Sequence, residues 1–199
     1  MIERLSAFGF LISILGSAAR AGAATTAEIA RRAKTSKRAL YELFASKDGM
    51  LIALIRDSAR QMAAPLESPE PRTTGELLAL LEEFGRRFLS QLFDPGRVAM
   101  HRLALSEVQR SGQGAREIDE QGRRPVSVAM ADLLSRAAET GLLPEREIPI
   151  VVEVFFGVQT GDDHVRLLLG VIETPTPGPI EERVRFAVEA TRRVLACPP

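Results

Sequence analysis

Residues 25–51 read TTAEIARRAKTSKRALYELFASKDGML, and this segment carries the densest helix signals of the 199-residue chain. Its first four residues match a capping box, which predicts a short helix over residues 26–33. Lys34 and Thr35 then make a turn, and Ser36 is placed to accept a hydrogen bond from the amides of a second short helix that reaches Phe44. The pattern therefore predicts two short helices joined by a tight turn.

The second of these helices has distinct inward and outward faces. Leu40 and Phe44 lie one turn apart and are expected to pack inward. Lys37, Arg38 and Tyr41 lie on other faces, where they are available to solvent or to phosphate.

The first 23 residues imitate a secretory signal, because an apolar run precedes several small residues. The apolar side chains of that run fit one helix face, and Arg20 lies beside the supposed cleavage point. We therefore expect a helix over residues 2–20 and not an exported leader. The run is also far shorter than the roughly 20 residues of a membrane span, so we expect a cytoplasmic protein with no membrane segment.

The remainder of the chain continues with helical periodicity, and strand patterns are scarce. A helix capped by Ser46 is expected to reach about Met62, where a Pro-rich break over residues 65–71 follows. A long helix capped by Thr73 or Thr74 should end at residues 94–96, which read Asp-Pro-Gly. Further helices are expected over residues 97–109, from about 115 to 141 with an interruption near Gly122, over 148–172 and over 180–196. The sequence therefore predicts an all-α protein.

Charge is distributed unevenly, although the net charge of the chain is zero. Residues 1–60 carry ten Lys and Arg against five Asp and Glu, a net charge of +5, and the rest of the chain carries −5. All three lysines lie between residues 34 and 47. Such asymmetry is typical of a protein whose basic N-terminal part binds an anionic partner while the rest of the chain, the body, is neutral or acidic. The single cysteine, Cys197, excludes an intramolecular disulfide.

Residues 25–51 resemble the helix-turn-helix of TetR-family transcriptional regulators. The resemblance rests on a Thr-capped Ile-Ala-x-x-Ala helix, a short turn, Ser-Lys-Arg-x-Leu-Tyr-x-x-Phe, and Ser-Lys before an apolar helix. The body matches in length and helical pattern, and it resembles AefR-like regulators. The family implies a three-helix helix-turn-helix DNA-binding domain over residues 1–48 and a helical ligand-binding and dimerisation domain over residues 49–199.

By this resemblance residues 36–44 form the recognition helix in the major groove of operator DNA. Lys37 and Arg38 would meet bases or nearby phosphates, while Tyr41 and Lys47 would meet phosphates. The resemblance implies a DNA-contacting set of Thr25, Thr26, Thr35, Ser36, Lys37, Arg38, Tyr41 and Lys47. It also implies a homodimer on a near-palindromic operator, held by the helices near 148–172 and 180–196, and released by an unidentified small molecule.

Candidate ligand-pocket residues are aromatic, polar or aliphatic positions in the body. They are Phe84, Phe88, His101, Leu105, Phe155 and Gln159. An alternative interpretation takes the three phenylalanines as ordinary core and the polar side chains as satisfied buried groups.

Other function classes find weaker support in the residues. Asp162, Asp163 and His164 are adjacent on a helix and point in different directions, so no metal site is expected there. A hydrolase using His101 or His164 as a base would need a nucleophile motif, and the sequence shows none, so we expect no enzyme activity, no catalytic residues and no cofactor. A helical ligand-binding or adaptor protein without DNA binding remains the alternative.

Overall fold

The structure is a computed structural model that describes residues 30–31, 36–44, 47–106 and 113–196. Every regular element in these ranges is helical, which confirms the all-α prediction. No helix of the described ranges is both long enough and apolar enough to cross a membrane. We number these helices in chain order: α1 (Lys37–Phe44), α2 (Lys47–Glu67), α3 (Thr74–Leu92), α4 (Pro95–Ser106), α5 (Gln113–Glu117), α6 (Arg124–Glu139), α7 (Ile148–Thr160), α8 (Asp163–Leu168) and α9 (Pro177–Ala196).

Two short elements complete the chain path. A π-helical segment, Ile118–Arg123, joins α5 to α6, and a 3-10 turn, Glu145–Glu147, precedes α7. Residues 30 and 31 are helical, whereas the rest of the predicted helices over 2–20 and 26–33 lies outside the described residues.

Contacts divide the chain into two compact units. The first contains Met1–Ala59 with Asp94–Arg123, and the second contains Arg60–Phe93 with Arg124–Pro199. Helix α2 therefore begins in the first unit and ends in the second.

The second unit is built around α3, α7 and α9. Helix α9 packs against both α7 and α3, and α6 packs against α7. Each helix contributes one apolar stripe at the spacing of an amphipathic helix. The buried side chains of these stripes include Leu77, Leu81, Phe84, Leu89, Met130, Leu133, Val151, Phe155, Val184 and Ala187. On α3 the stripe consists of buried Leu77, Leu81 and Phe84, with half-buried Phe88 and Leu92.

In the first unit α2 packs against the π-helical segment. A Cβ on Gly122 would lie 3.2 Å from Cγ2 of the buried Ile55, so the backbone at Gly122 lies close to the Ile55 side chain. Nε of Arg56 also donates a hydrogen bond of 2.9 Å to Oε1 of Gln121. This contact places the segment before Pro125 firmly against α2.

Helix α2 is longer than expected, because it ends at Glu67 and includes Pro65. Met62 and Leu66 are buried, and packing on both sides of the proline holds the last turn. The Arg136 guanidinium supports this end by donating to the carbonyl of Pro69 at 3.0 Å and to that of Leu66. The predicted stop near Met62 is therefore wrong.

Two other helices begin earlier than expected, each at a proline that the prediction left outside it. Helix α4 begins at Pro95 rather than at residue 97, and α9 begins at Pro177 rather than at Ile180. The amides of a first helical turn have no intrahelical acceptor, so a proline there removes nothing. Asp94 caps α4, since its Oδ1 accepts from the amides of Gly96 and Arg97 at 3.0 and 3.2 Å.

The predicted helix over 148–172 is two helices, α7 and α8. Gly161 separates them with a φ of +45°, a conformation that residues with a side chain rarely adopt. The predicted interruption near Gly122 is also present, as a π-helical turn just before Pro125. A proline lacks an amide donor and crowds the carbonyl four residues earlier, and a widened turn relieves that crowding.

Of the two threonines that the sequence offers as the N-cap of α3, Thr73 has this role. It accepts a hydrogen bond of 3.1 Å from the amide of Glu76, whose carboxylate accepts from the amide of Arg72 at 2.8 Å. We expect Thr73→Ala to lower the free energy of unfolding by about 1 kcal/mol in urea titrations at fixed protein concentration. Thr74→Ala, one residue inside the helix, is the matched control and should change little. Equal losses in both variants would contradict the capping role.

Candidate nucleic-acid interface and effector site

Helix α1 is short and begins with a side-chain cap. The hydroxyl of Ser36 accepts a hydrogen bond of 3.0 Å from the amide of Ala39, which confirms the cap predicted at this position. Because the cap fixes where the helix begins, it also fixes the direction of the first two helical side chains, Lys37 and Arg38. Both are exposed.

Among the described residues, Arg38 pairs with Glu42 on its own helix. Its Nε donates a hydrogen bond of 2.8 Å to Oε1 of Glu42, one turn later. The two side chains are 89% and 63% exposed, so solvent screens the pair and it contributes little to stability. The guanidinium can therefore exchange this carboxylate for a phosphate or a base edge at small cost.

The other predicted DNA contacts are described only in part. Tyr41 lies in α1 and Lys47 begins α2, but their side chains are outside the described set. Thr25, Thr26 and Thr35 lie outside the described residues. Ala30, which lies on the inward face of the first short helix of the motif, is buried as expected.

A second candidate site is a cluster of four phenyl rings between α3 and α7, which we call the aromatic cluster. It contains Phe84 and Phe88 of α3 and Phe155 and Phe156 of α7. The ring of Phe84 lies 5.8 Å from that of Phe88, 6.1 Å from Phe155 and 6.0 Å from Phe156. Phe88 and Phe156 meet edge to face at 5.1 Å. These are the separations at which aromatic pairs attract.

Phe156 was not among the predicted pocket residues. The signal that points to it is its position directly after Phe155, because a helix that is apolar nearly all round presents both rings toward its neighbours. Phe84 and Phe155 are buried and Phe88 and Phe156 are half-buried, so the cluster extends from the surface into the core.

Gln159 lies one helical turn beyond Phe155, on the same face of α7. Its side chain is completely buried, and neither its Nε2 nor its Oε1 has a hydrogen-bond partner in the part of the chain that the structure describes. The amide packs against Gly85 of α3. A Cβ at residue 85 would lie 2.2 Å from Nε2 of Gln159 and 3.0 Å from Cγ1 of Val184. Gly85 therefore makes room for the amide.

The remaining two pocket candidates lie elsewhere in the fold. His101 and Leu105 belong to α4, in the first unit, while the other four pocket candidates come together in the second. His101 is half-buried and Leu105 is 52% exposed. Their ligand role stays a prediction.

Asp163 forms an ion pair with α9, and the neighbouring His164 is partly buried. Oδ2 of Asp163 accepts a hydrogen bond of 2.8 Å from the Arg183 guanidinium of α9. Burial lowers the pKa of His164, which favours the neutral ring at neutral pH. Within the described ranges no three metal-ligating side chains come together.

The contact between Gly85 and Gln159 gives a test of packing. Gly85→Ala improves helix propensity by about 1 kcal/mol, yet the new methyl group collides with the buried Gln159 amide. Overpacking of this kind costs about 1–3 kcal/mol, so we expect a lower free energy of unfolding.

The matched control is the same change in a Gln159→Ala background. There the amide is gone, and the penalty of Gly85→Ala should fall by at least about 1 kcal/mol in a double-mutant cycle. Additive effects of the two substitutions would show that residues 85 and 159 do not press on each other.

Two family models match the chain. Residues 20–54 match the bacterial regulatory proteins of the TetR family, and residues 79–194 match the C-terminal domain of AefR-like transcriptional repressors. Among curated proteins none is similar enough in sequence to be matched.

Solved structures with the same fold cover almost the whole chain. A TetR-family transcriptional regulator from Mesorhizobium loti has a TM-score of 0.75 at 19% identity, covering 96% of each chain. A TetR transcriptional regulator from Agrobacterium tumefaciens has a TM-score of 0.64 at 27% identity, covering 94% of this chain and 91% of the other. The flavonoid-responsive regulator FrrA has a TM-score of 0.64 at 22% identity, covering 98% of each.

The second family model spans more than half of the chain, and the first spans the helix-turn-helix predicted from residues 25–51. The chain belongs to the TetR family of transcriptional regulators, with an AefR-like C-terminal domain.

Proposed function

We propose that this TetR-family regulator is a cytoplasmic repressor that binds a near-palindromic operator as a homodimer and leaves it when a small molecule binds. In this proposal residues 1–48 read DNA, and residues 49–199 dimerise and bind the effector. The observation that carries the proposal is the capped helix α1, which presents Lys37 and Arg38 to solvent.

The charge distribution supports DNA as the partner of α1. The net charge of +5 over residues 1–60 provides the attraction that phosphates require, and it lies on the same segment as the capped helix. In the proposed complex phosphate contacts orient the head, while Lys37 and Arg38 reach base edges or adjacent phosphates in the major groove.

Exposed apolar side chains support the proposed dimer. Five of the seven large apolar side chains that are exposed among the described residues fall within the two predicted interface ranges. They are Ile150, Val165, Leu169, Val171 and Phe186. A second copy related by a twofold axis would cover this surface with the same surface of its own. Two recognition helices would then enter successive major grooves about 34–36 Å apart.

The aromatic cluster supports an effector site in the second unit. Its rings form an apolar wall with one buried polar side chain beside it, which is the usual composition of a small-molecule site. One structural neighbour is named as flavonoid-responsive, which fits a small organic effector here. Such a molecule releases DNA only to the extent that it binds the DNA-incompetent arrangement more tightly.

The first test concerns Arg38. We expect Arg38→Ala to weaken binding to duplex DNA from the region flanking the coding sequence at least about tenfold, since a base contact is worth about 1–3 kcal/mol. Tyr41→Phe should weaken it less. Gel-shift titrations at several salt concentrations measure both effects.

Arg87→Ala is the matched control, because Arg87 is also an exposed arginine paired with a glutamate one turn away, Glu83 at 2.7 Å. It should bind the DNA as the parent protein does. Unchanged binding in both Arg38→Ala and Tyr41→Phe would contradict the assigned contacts. Absence of any steep salt dependence would favour a ligand-binding or adaptor protein without DNA binding.

The second test concerns Phe186, which is 63% exposed on α9. Aromatic hot spots at interfaces cost about 2–4 kcal/mol when lost, and a twofold interface loses each one twice. We therefore expect Phe186→Glu to raise the dimer dissociation constant by at least about a hundredfold in sedimentation equilibrium. Val128→Glu, at an apolar position on α6 that is 53% exposed and outside the interface ranges, should remain dimeric. A Phe186→Glu protein as dimeric as the parent would exclude this surface.

A further inference from the structure

The Gln159 amide is an unusual group in the core of the second unit. A primary amide carries two donor hydrogens and one acceptor oxygen, and burying them without partners costs free energy. A leucine would fill similar space at no such cost. Since buried polar groups are nearly always bonded to something, the amide points to a partner that is not part of the described chain.

The surroundings of the amide define what that partner can be. Gly85 and Val184 lie against the amide, and the aromatic cluster lies one helical turn earlier on α7. Asp163, one turn further along the chain, is already paired with Arg183 at 2.8 Å, so an ionic group placed at the amide would lose its hydration without gaining a counter-ion. The partner must therefore be neutral at the point where it meets Gln159.

The aromatic cluster gives the partner its second feature. Phe88 and Phe156 are half-buried, whereas Phe84 and Phe155 are buried next to the Gln159 turn. A flat aromatic ring bound beside the outer pair would make edge-to-face or stacked contacts with the phenyl rings. Its inner end would then face the turn of α7 that carries Gln159.

We infer that Gln159 anchors the effector, and that the effector is an uncharged aromatic molecule with a hydroxyl or carbonyl group at its inner end. The inference rests on the proposed function and specifies the ligand class of that site. The amide oxygen accepts from a hydroxyl group, or the amide nitrogen donates to a carbonyl. The four phenyl rings hold the apolar body of the molecule, and Gly85 provides the close approach of α3 that positions the amide.

The test compares 2-naphthol with naphthalene, which share a ring system and differ in one hydroxyl group. The chain contains no tryptophan and one tyrosine, so the fluorescence anisotropy of either probe can be followed with little protein background. The parent protein should bind 2-naphthol at least about tenfold more tightly than naphthalene, the preference that one hydrogen bond of about 1.4 kcal/mol gives.

Gln159→Leu should bind both probes with equal affinity, because the polar anchor is gone while the apolar wall remains. Gln91→Leu, the same substitution further along α3, should keep the preference for 2-naphthol. Circular dichroism of both variants checks that they are folded. Failure of the parent protein to bind 2-naphthol, equal affinities for the two probes, or a preference that survives in Gln159→Leu would each overturn the anchor.

Binding of the flanking duplex DNA by the same preparations separates this inference from the proposed function. A protein that binds DNA but shows no preference for 2-naphthol overturns the anchor and leaves the regulator intact. A protein that fails to bind DNA overturns the proposed function, whatever the probes do.

Discussion

The close approach of α3 to α7 and α9 is the constraint on which the second unit depends. It exists because residue 85 has no side chain: a Cβ there would lie 2.2 Å from the Gln159 amide and 3.0 Å from a methyl group of Val184. Protein interiors are packed as densely as organic crystals, so an added methyl group would have to displace the Gln159 amide and the Val184 methyl group. The approach also sets the ring separations of the aromatic cluster, since Phe84 lies directly before Gly85 on α3.

Local sequence rules were sufficient for the elements whose cause is local. Ser36 and Thr73 cap α1 and α3 as predicted, because a cap depends on residues three positions apart. The rules failed where tertiary packing competes with a proline or a glycine. Buried Leu66 keeps α2 helical past Pro65, while Gly161 divides the segment that was predicted as one helix over residues 148–172. In neither case does the local pattern reveal which influence is stronger.

In the candidate sites, too, the sequence predicts what depends on local structure and does not predict what depends on tertiary packing. Exposure of Lys37 and Arg38 follows from helical phase, and the sequence predicts it. Phe84, Phe88 and Phe155 were named as pocket candidates from composition, and their mutual distances depend on how two helices separated by more than fifty residues pack together. That the Gln159 amide is buried without a partner among the described residues is a property of three helices at once. No periodicity in one segment predicts it.

Helix α7 links the proposed effector site to the proposed dimer interface without any long pathway. Phe155 and Gln159 lie on its buried face, and Ile150 is exposed on another. If the 13-residue helix moves as one body, a ligand that shifts its buried face also shifts its exposed face. One ligand typically changes the free-energy difference between the DNA-competent and DNA-incompetent states by about 1–3 kcal/mol. Shifting the ratio of these two states from 1:99 to 99:1 requires about 5.5 kcal/mol. A twofold dimer binds two ligands and so doubles the available coupling, which reaches that value only near its upper end. Release from DNA would therefore depend on filling both sites, and the response would be steeper than that of a single site.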